Sequence, residues 1–366
     1  MLLAGIHWAA LRLYYLTKKV AKSNTHYATG ERGSMVVVVQ VSESEFSVQG
    51  HGVHTAFVET CNGLEAAGVK VVKNKLWQKA DVRHIHTVGP YSLLHLIFGS
   101  GKKIISAHIV PASLVGSLKG ADRWLAIATW YLRWFYNRAH TVVAVSDETK
   151  STLLQMGVRR PIEVAYNMVN TKAYEHTAQE RAAARKKLGI NDNEIVVLGN
   201  GQVQPRKRAD TFVAVAHQLP EMKFIWVGGM PFGKVAANAT EMQAIIDNAP
   251  KNVHFTGVVD LPAVREYFIV GDIFFMPSMQ ETFGLAIVEA AAAGMPLVLR
   301  AIPDYDNTFK HDAVPCSEAE FVGAIKRLAH DAGYAREMTA KAKQLAARYD
   351  SQTIVHKLLE VYGVAR

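Results

Sequence analysis

Two doubly wound parallel sheets facing each other across a cleft are the architecture this sequence predicts, an α/β fold. Three observations lead there. Short runs rich in β-branched residues alternate with helix-compatible segments along the chain, the pattern of βα units. The length, 366 residues, exceeds one ordinary core, since a domain takes roughly 100–200 residues. A charged, turn-rich passage at 170–191 separates two sets of such runs.

In chain order, the first segment is "MLLAGIHWAALRLYYLTKKVAKSN". Its apolar run is interrupted by His7 and Arg12 and is too short to span a bilayer, which takes about 20 residues. Its charges follow the apolar part, unlike a secretory signal. Residues 1–34 therefore read either as an interfacial helix, with Arg12, Lys18, Lys19 and Lys22 on one side, or as an appendage to a chain whose natural start is Met35. Strands are expected at 36–41, 69–72, 82–87, 103–107 and 141–145, and again at 194–199, 223–227, 253–256, 273–276 and 296–300. Residues 35–180 then form one domain and 181–366 the other, which ends in helices at 333–349 and 351–362. Ligands of open α/β sheets bind at the carboxyl ends of the strands, here the cleft.

Composition excludes some classes. Hydrophobic residues make up 49% and charged residues 20%, which argues against disorder. The two cysteines, Cys61 and Cys316, fit neither a disulfide framework nor a cysteine zinc site, and they suit a reducing compartment. The net charge of +9 lies wholly in the first half: residues 1–170 hold 19 Lys and Arg against 10 Asp and Glu, whereas 171–366 hold 22 of each. A half that is basic by itself suits an anionic partner surface, membrane or nucleic acid.

Two stretches of the second half carry chemistry. In "LGNGQVQPRKRADTF", Gly199 and Gly201 end a strand, and Arg206, Lys207 and Arg208 stand beside the start of a helix. Glycines let backbone approach a ligand, and cations at a helix N-terminus favour phosphate; a solvated basic loop is the plainer alternative. In "PSMQETFGLAIVEAAAAGMP" a helix is expected to begin near Thr282, with Glu281 at or just before its start and Glu289 eight residues on. That spacing is about two turns, or ~12 Å, so the acids reach different parts of one extended ligand rather than share a proton. The amides of Phe283, Gly284 and Leu285 would face what lies between, for which a phosphate is suited. A capping acid and a solvated acid are the alternative.

The second stretch resembles the Glu-x7-Glu signature of retaining glycosyltransferases of the GT-B fold, which use nucleotide-sugar donors. The likeness spans almost the whole chain after Met35. It implies that Glu289 holds the ribose hydroxyls and Glu281 the transferred sugar, with Phe283, Gly284 and Leu285 cradling sugar and diphosphate. It places Arg206 and Lys207 on the phosphates. Two departures stand out: Gln202 occupies a position where the family often has Arg, and Arg208 one where it has Gly. Gly257 and Val258 of "FTGVVD" resemble the loop that meets the base. Gly50 and Gly52 of "SVQGHGVHTAF" resemble the glycine loop against donor and acceptor, and His108 of "SAHIVPAS" the histidine beside the transferred sugar.

"LKGADRWLAIATWYLRWFYNRAH" bears on the acceptor. On a helix, Leu125, Ala128, Leu132 and Phe135 share one face, and Lys119, Arg123, Trp130, Arg133, Trp134 and Asn137 the opposite one. Indoles interleaved with cations suit a lipid headgroup region; packing of both tryptophans on neighbouring helices is the plainer alternative. Together with "GQVQPRKR" and "FIWVGGMPFGK", this stretch is similar to bacterial enzymes that add a hexose to monoglucosyl-diacylglycerol, the lipoteichoic acid anchor. That resemblance implies an α-linkage, UDP-glucose or UDP-galactose as donor, and a peripheral location on the cytoplasmic, inner face of the cell membrane. The leaving diphosphate is expected to be stabilised by Arg206, Lys207 and helix amides, with no metal. A soluble polysaccharide or protein acceptor is the alternative. A nucleic-acid binder is a more distant one, with no use for either acid. A dinucleotide oxidoreductase is a third, for which "GHGVHT" lacks the third glycine.

Overall fold

A computed structural model of the chain describes residues 35–46, 52–115, 121–230 and 238–364, without the side chains of 115 and 121–123. The segment 1–34, Gly50 and Lys119 lie outside the described residues, as does the side chain of Arg123.

The first sheet comprises β1 (Val37–Val41), β2 (Lys70–Lys73), β3 (Val82–Ile85), β4 (Lys102–Ala107), β5 (Thr141–Ala144) and β6 (Ile162–Val164), in the order β2-β1-β3-β4-β5-β6. The second comprises β7 (Val196–Asn200), β8 (Lys223–Val227), β9 (Val253–Phe255), β10 (Ile273–Met276), β11 (Leu297–Arg300) and β12 (Val314–Cys316), in the order β12-β11-β10-β7-β8-β9. All pairings are parallel. Helices cover both faces of such sheets, so central strands such as β3, β5 and β10 are buried throughout. Strand order reverses between β1 and β3 in one sheet and between β7 and β10 in the other. Loops leaving the sheet on either side of such a point diverge and leave a crevice at the carboxyl ends.

The helices are α1 (Gly52–Ala66), α2 (Pro90–Phe98), α3 (Pro111–Val115), α4 (Ala121–Tyr136) and α5 (Asp147–Gln155) in the first half. In the second they are α6 (Ala178–Lys187), α7 (Ala209–His217), α8 (Ala239–Asp247), α9 (Leu261–Val270), α10 (Leu285–Ala292), α11 (Phe321–His330), α12 (Ala332–Arg348) and α13 (Ser351–Tyr362). The sequence assigned α13 to the second domain; in space it lies on the first. It packs against α1, Tyr362 bonds to Gln40 of β1 and His84 of β3, and Lys102 donates to the carbonyl of Val361 at 2.8 Å, a cation at a helix C-terminus.

The chain therefore crosses between the domains twice, and the crossings are bonded to each other. Val169 N–H donates to Tyr349 O at 3.0 Å, and Ser351 N–H donates to Val169 O at 2.9 Å. Beside them Tyr166, Phe283, Phe309 and Tyr349 form one aromatic cluster drawing on both domains. The hydroxyl of Ser146, after β5, also donates to Thr282 O at 2.9 Å, tying the first domain to the loop that carries Glu281.

Candidate active site

Between the domains lies a cavity of about 420 Å³, walled by the loops that leave β4, β7 and β10 at their carboxyl ends and by the first turns of α1 and α10. The loops after β7 and β10 flank the reversal point of the second sheet, so topology alone brings "GQVQPRK" beside "PSMQETFG".

The β7 loop is held by its glycines and a tryptophan. Gly201 has φ +148° and accepts a bond from the Trp226 indole at 2.9 Å. A Cβ on the neighbouring Gly228 would stand 2.2 Å from Gly201 O, so no side chain fits there. Arg208 closes the loop in the left-handed region, φ +55°. This explains why the resemblance expects glycine at that position. Arg there costs about 1 kcal/mol, offset in part by its bonds to Asp210 at 2.9 and 3.0 Å.

Arg206 and Lys207 converge on Glu281. Lys207 Nζ donates to one carboxylate oxygen at 2.5 Å, and Arg206 Nη1 lies 3.7 Å from the other. Arg206 also donates to Gln280 O at 3.0 Å, and the Glu281 amide donates to Asp304 at 2.7 Å. Lys207 and Glu281 are buried, Glu281 being 6% exposed, and Arg206, Gln280 and Asp304 are half-buried around them. Burial alone would raise the Glu281 carboxyl, but Lys207, then Arg206, with the bond from Lys207, outweigh it and hold the group below the ordinary carboxylate range. Burial pushes the Lys207 ammonium down, Glu281 opposes that and Arg206 adds to it. The low-lying carboxyl marks the pair as ionised.

Glu281 is not on the helix. The sequence put the helix start near Thr282; α10 begins at Leu285, because Gly284 turns the chain through the left-handed region at φ +89°. A Cβ there would meet Ile287 at 2.9 Å. Glu281 therefore belongs to the preceding loop, while Glu289 sits a full turn into α10 on its buried face. The helical arithmetic relating the two acids does not apply, although both line the one cavity.

Glu289 has a different environment. It is as buried as Glu281 but has no cation beside it: the Tyr174 hydroxyl donates to it, and Glu59 adds negative charge. Burial first, then Glu59, outweighs the Tyr174 bond and raises its carboxyl to about 7. Two carboxylates eight residues apart are thus held in opposite states, one firmly ionised and one poised near neutrality.

Phe283, Gly284 and Leu285 form the wall between the acids, Phe283 packing in the aromatic cluster. The first N–H groups of a helix lack i−4 partners; in α10 that of Ile287 donates to Gly284 O at 2.9 Å, and Leu285 and Ala286 line the cavity. Gln202 is half-buried in the cavity wall. Val258 lines the cavity and is exposed, next to Gly257 at φ +70°. Across the cleft, Gly52 opens α1 at the cavity; a Cβ on it would touch nothing of the protein, so glycine there keeps cleft space open. His108 is 8% exposed, lines the cavity beyond β4, and its Nε2 lies 3.1 Å from His86 Nδ1.

The tryptophans of α4 are not equivalent. Leu132 and Phe135 are buried, as their face requires, and Trp130 on the opposite side is 58% exposed. Trp134 is half-buried, stacked on Tyr131 at 5.9 Å with the Arg138 guanidinium 4.1 Å above it. Trp130, Arg133, Trp134, Arg138 and Arg160 line a shallow depression that continues to exposed Ile97 of α2. Arg138 and Arg160 were not picked out in the sequence. Nor were Tyr174 and Asp304, which touch the two acids from distant parts of the chain.

Residues 180–345 match the family model described as glycosyl transferases group 1, and 67–173 that described as glycosyltransferase family 4. An alpha-galactosylglucosyldiacylglycerol synthase from Streptococcus pneumoniae is 32% identical over 332 residues, 88% of this chain and 88% of that protein. A processive diacylglycerol alpha-glucosyltransferase from Acholeplasma laidlawii is 27% identical over 313 residues, 80% of this chain and 88% of that one. In fold the chain is similar to Anabaena HepE, crystallised in complex with UDP and glucose. The TM-score is 0.72 at 18% identity, covering 90% of this chain and 99% of that one.

Proposed function

The chain belongs to the group 1 glycosyl transferases, and from that premise we propose that it moves a hexose from UDP-glucose or UDP-galactose onto a membrane glycolipid such as monoglucosyl-diacylglycerol, with retention, forming an α-linkage. The observation that carries this reading is the pair of buried acids in one cavity, in opposite electrostatic settings. Glu289 takes the ribose hydroxyls, and Glu281 orients the hexose. Lys207 and Arg206 meet the diphosphate and in doing so share Glu281 with it.

In the reaction the bond from the anomeric carbon to the diphosphate oxygen breaks, and the electron pair leaves with UDP. Negative charge grows on that oxygen, and Lys207, Arg206 and the first amides of α10 are assigned to stabilise it; preorganised charge of this kind is commonly the largest catalytic contribution. The acceptor hydroxyl adds to the same face of the sugar and gives its proton to the departing phosphate. Glu281 and Glu289 are the carboxylates that line the described cavity, and both are occupied, Glu281 by two cations and Glu289 by Tyr174. Neither is therefore assigned as a covalent nucleophile. The side-chain cations supply the positive charge the step requires, so activity in excess chelator is expected.

The acceptor assignment draws on the two similar proteins, both diacylglycerol glycolipid enzymes by name. It also draws on the face formed by Trp130, Arg133, Trp134, Arg138 and Arg160, an indole-and-guanidinium surface suited to anionic headgroups. Among the described residues no helix is long and apolar enough to cross a membrane. The proposed location is peripheral, on the inner face of the cell membrane, with residues 1–34, Lys119 and Arg123 as further candidates for contact. A mass-spectrometric assay that pairs each donor with monoglucosyl-diacylglycerol in vesicles and with soluble saccharides tests the assignment. A dihexosyl lipid is the expected product; transfer confined to soluble acceptors refutes it.

A further inference from the structure

The cavity has two apolar walls, one from each domain. In the second domain Val258, Leu261 and Val264 stand on the loop after β9 and the first turn of α9, the place assigned to the nucleotide base. In the first domain Val53 of α1, Ile109 after β4 and Leu114 of α3 form the other wall. All three are half-buried, and Ile109 and Leu114 rest on the core of their own domain. Side chains that keep apolar surface toward a cavity gain when an apolar part of a ligand covers it. A free saccharide, with a hydroxyl on almost every carbon, has little to offer such a wall. A sugar that carries a hydrocarbon end does.

Helix α4 shows from which side that end arrives. The Tyr131 hydroxyl donates to Val88 O at 2.6 Å, and the Tyr136 hydroxyl donates to Ile109 O at 2.6 Å. These carbonyls lie just past the carboxyl ends of β3 and β4. The last turns of α4 are therefore beside the edge of the sheet at which the cavity opens. The residues from Ala121 to Trp130, about 15 Å of helix, precede them, and α4 packs on α3, which carries Leu114 into the cavity wall. Ile127 and Trp130, 69% and 58% exposed, belong to this leading half. The face assigned to lipid headgroups and the apolar wall of the first domain thus lie at one end of that domain, joined by α3 and α4.

We propose that Val53, Ile109 and Leu114 are specificity-determining residues for the acceptor. They take the glycerol and first acyl carbons of a glycolipid whose sugar reaches into the cavity, while the rest of its chains lead toward Ile127 and Trp130. This rests on the glycolipid reading above and goes beyond it by naming the side chains that tell a lipid-linked sugar from a free one.

Monomeric acceptors test it without a membrane. Glucosylglycerol is compared with its dibutanoyl and dihexanoyl esters, each below its aggregation concentration, in wild type, Leu114→Asn, Ile109→Asn and Leu114→Met. In wild type kcat/KM is expected to rise roughly two- to fourfold for each methylene that reaches the wall. Both asparagine variants are expected to lose most of that rise, and Leu114→Met, which keeps an apolar side chain of similar volume, to retain it. Calorimetry with UDP checks that each variant is folded with its donor side intact. A wild type indifferent to chain length, a rise that survives in both asparagine variants, or a fall by one common factor for every acceptor overturns the proposal and leaves the sugar-transfer reading standing. Wild type that binds UDP yet transfers to none of the three acceptors removes the glycolipid reading, and this proposal with it.

Discussion

Glu289 makes the proposed grip on a ribose depend on pH, and the size of the effect follows from its surroundings. Burial with Glu59 nearby, against one bond from Tyr174, sets its carboxyl at about 7. Only the ionised form accepts from both ribose hydroxyls, so binding must expel the proton. Near pH 7 about half the molecules are protonated, and roughly half a proton is released per donor bound; each pH unit below that weakens binding about tenfold, or 1.4 kcal/mol. UDP-glucose is the suitable ligand, because its diphosphate stays ionised throughout. Calorimetry at pH 6 and pH 8, in buffers of differing ionisation enthalpy, is expected to show about tenfold weaker binding at pH 6. Glu289→Gln is expected to bind weakly with no pH dependence. Stability runs the other way: a raised folded-state pKa contributes fully below pH 4.5 and is lost as pH rises through about 7. The ionised carboxylate therefore costs up to about 3 kcal/mol at pH 8, and Glu289→Gln is expected to resist denaturation better than wild type there. Wild-type affinity that is flat from pH 6 to pH 8 with no proton release, or the same slope in Glu289→Gln, would refute the reasoning.

The cleft cations make a second prediction. Arg206→Ala is expected to lower kcat/KM about 10- to 100-fold, the worth of a charged hydrogen bond to phosphate, and Gln202→Arg in that background to recover part of it. Absence of recovery would show that Gln202 and Arg206 do not serve the same phosphates. Lys207→Met leaves Glu281 buried beside Arg206 alone and is expected to cost a few kcal/mol in urea denaturation; adding Glu281→Gln should restore most of it, and strictly additive losses would contradict the ion pair. Trp130→Ala with Arg133→Ala is expected to weaken co-sedimentation with anionic vesicles by about fivefold or more, since one surface cation contributes about 1 kcal/mol, and the difference should shrink in high salt. Equal binding of variant and wild type would remove this face from membrane contact.

The parts of the fold that could be read from sequence are those in which local pattern and tertiary burial coincide. Strands β7 and β10 are buried on both faces, so their continuous apolar runs stand out. β6 and β12, each three residues long at a sheet edge, escaped, β12 because Pro315 interrupts it; β9, equally short and at the other edge of the second sheet, was read. The start of α10 was misplaced by three residues, although Gly284 is the signal that marks it. At the site, residues carried on strand-end loops were visible because those loops have unusual composition. The partners that set their chemistry were not. Tyr174, Asp304 and the Gln40–Tyr362 bond, spanning 322 positions, are meetings of distant segments with no local signature.

The doubled connection at Val169 and Asp350 has a mechanical consequence. One strand of chain between two lobes allows them to swivel freely; two strands laced together by their own amides leave little beyond folding about the seam, like a book about its spine. Whatever admits and releases a substrate must then swing around that line, so sites far from it sweep the longest arcs and Val169 scarcely shifts. Helix α13, fastened to the first domain, rides along with the histidines of that sheet through every such swing.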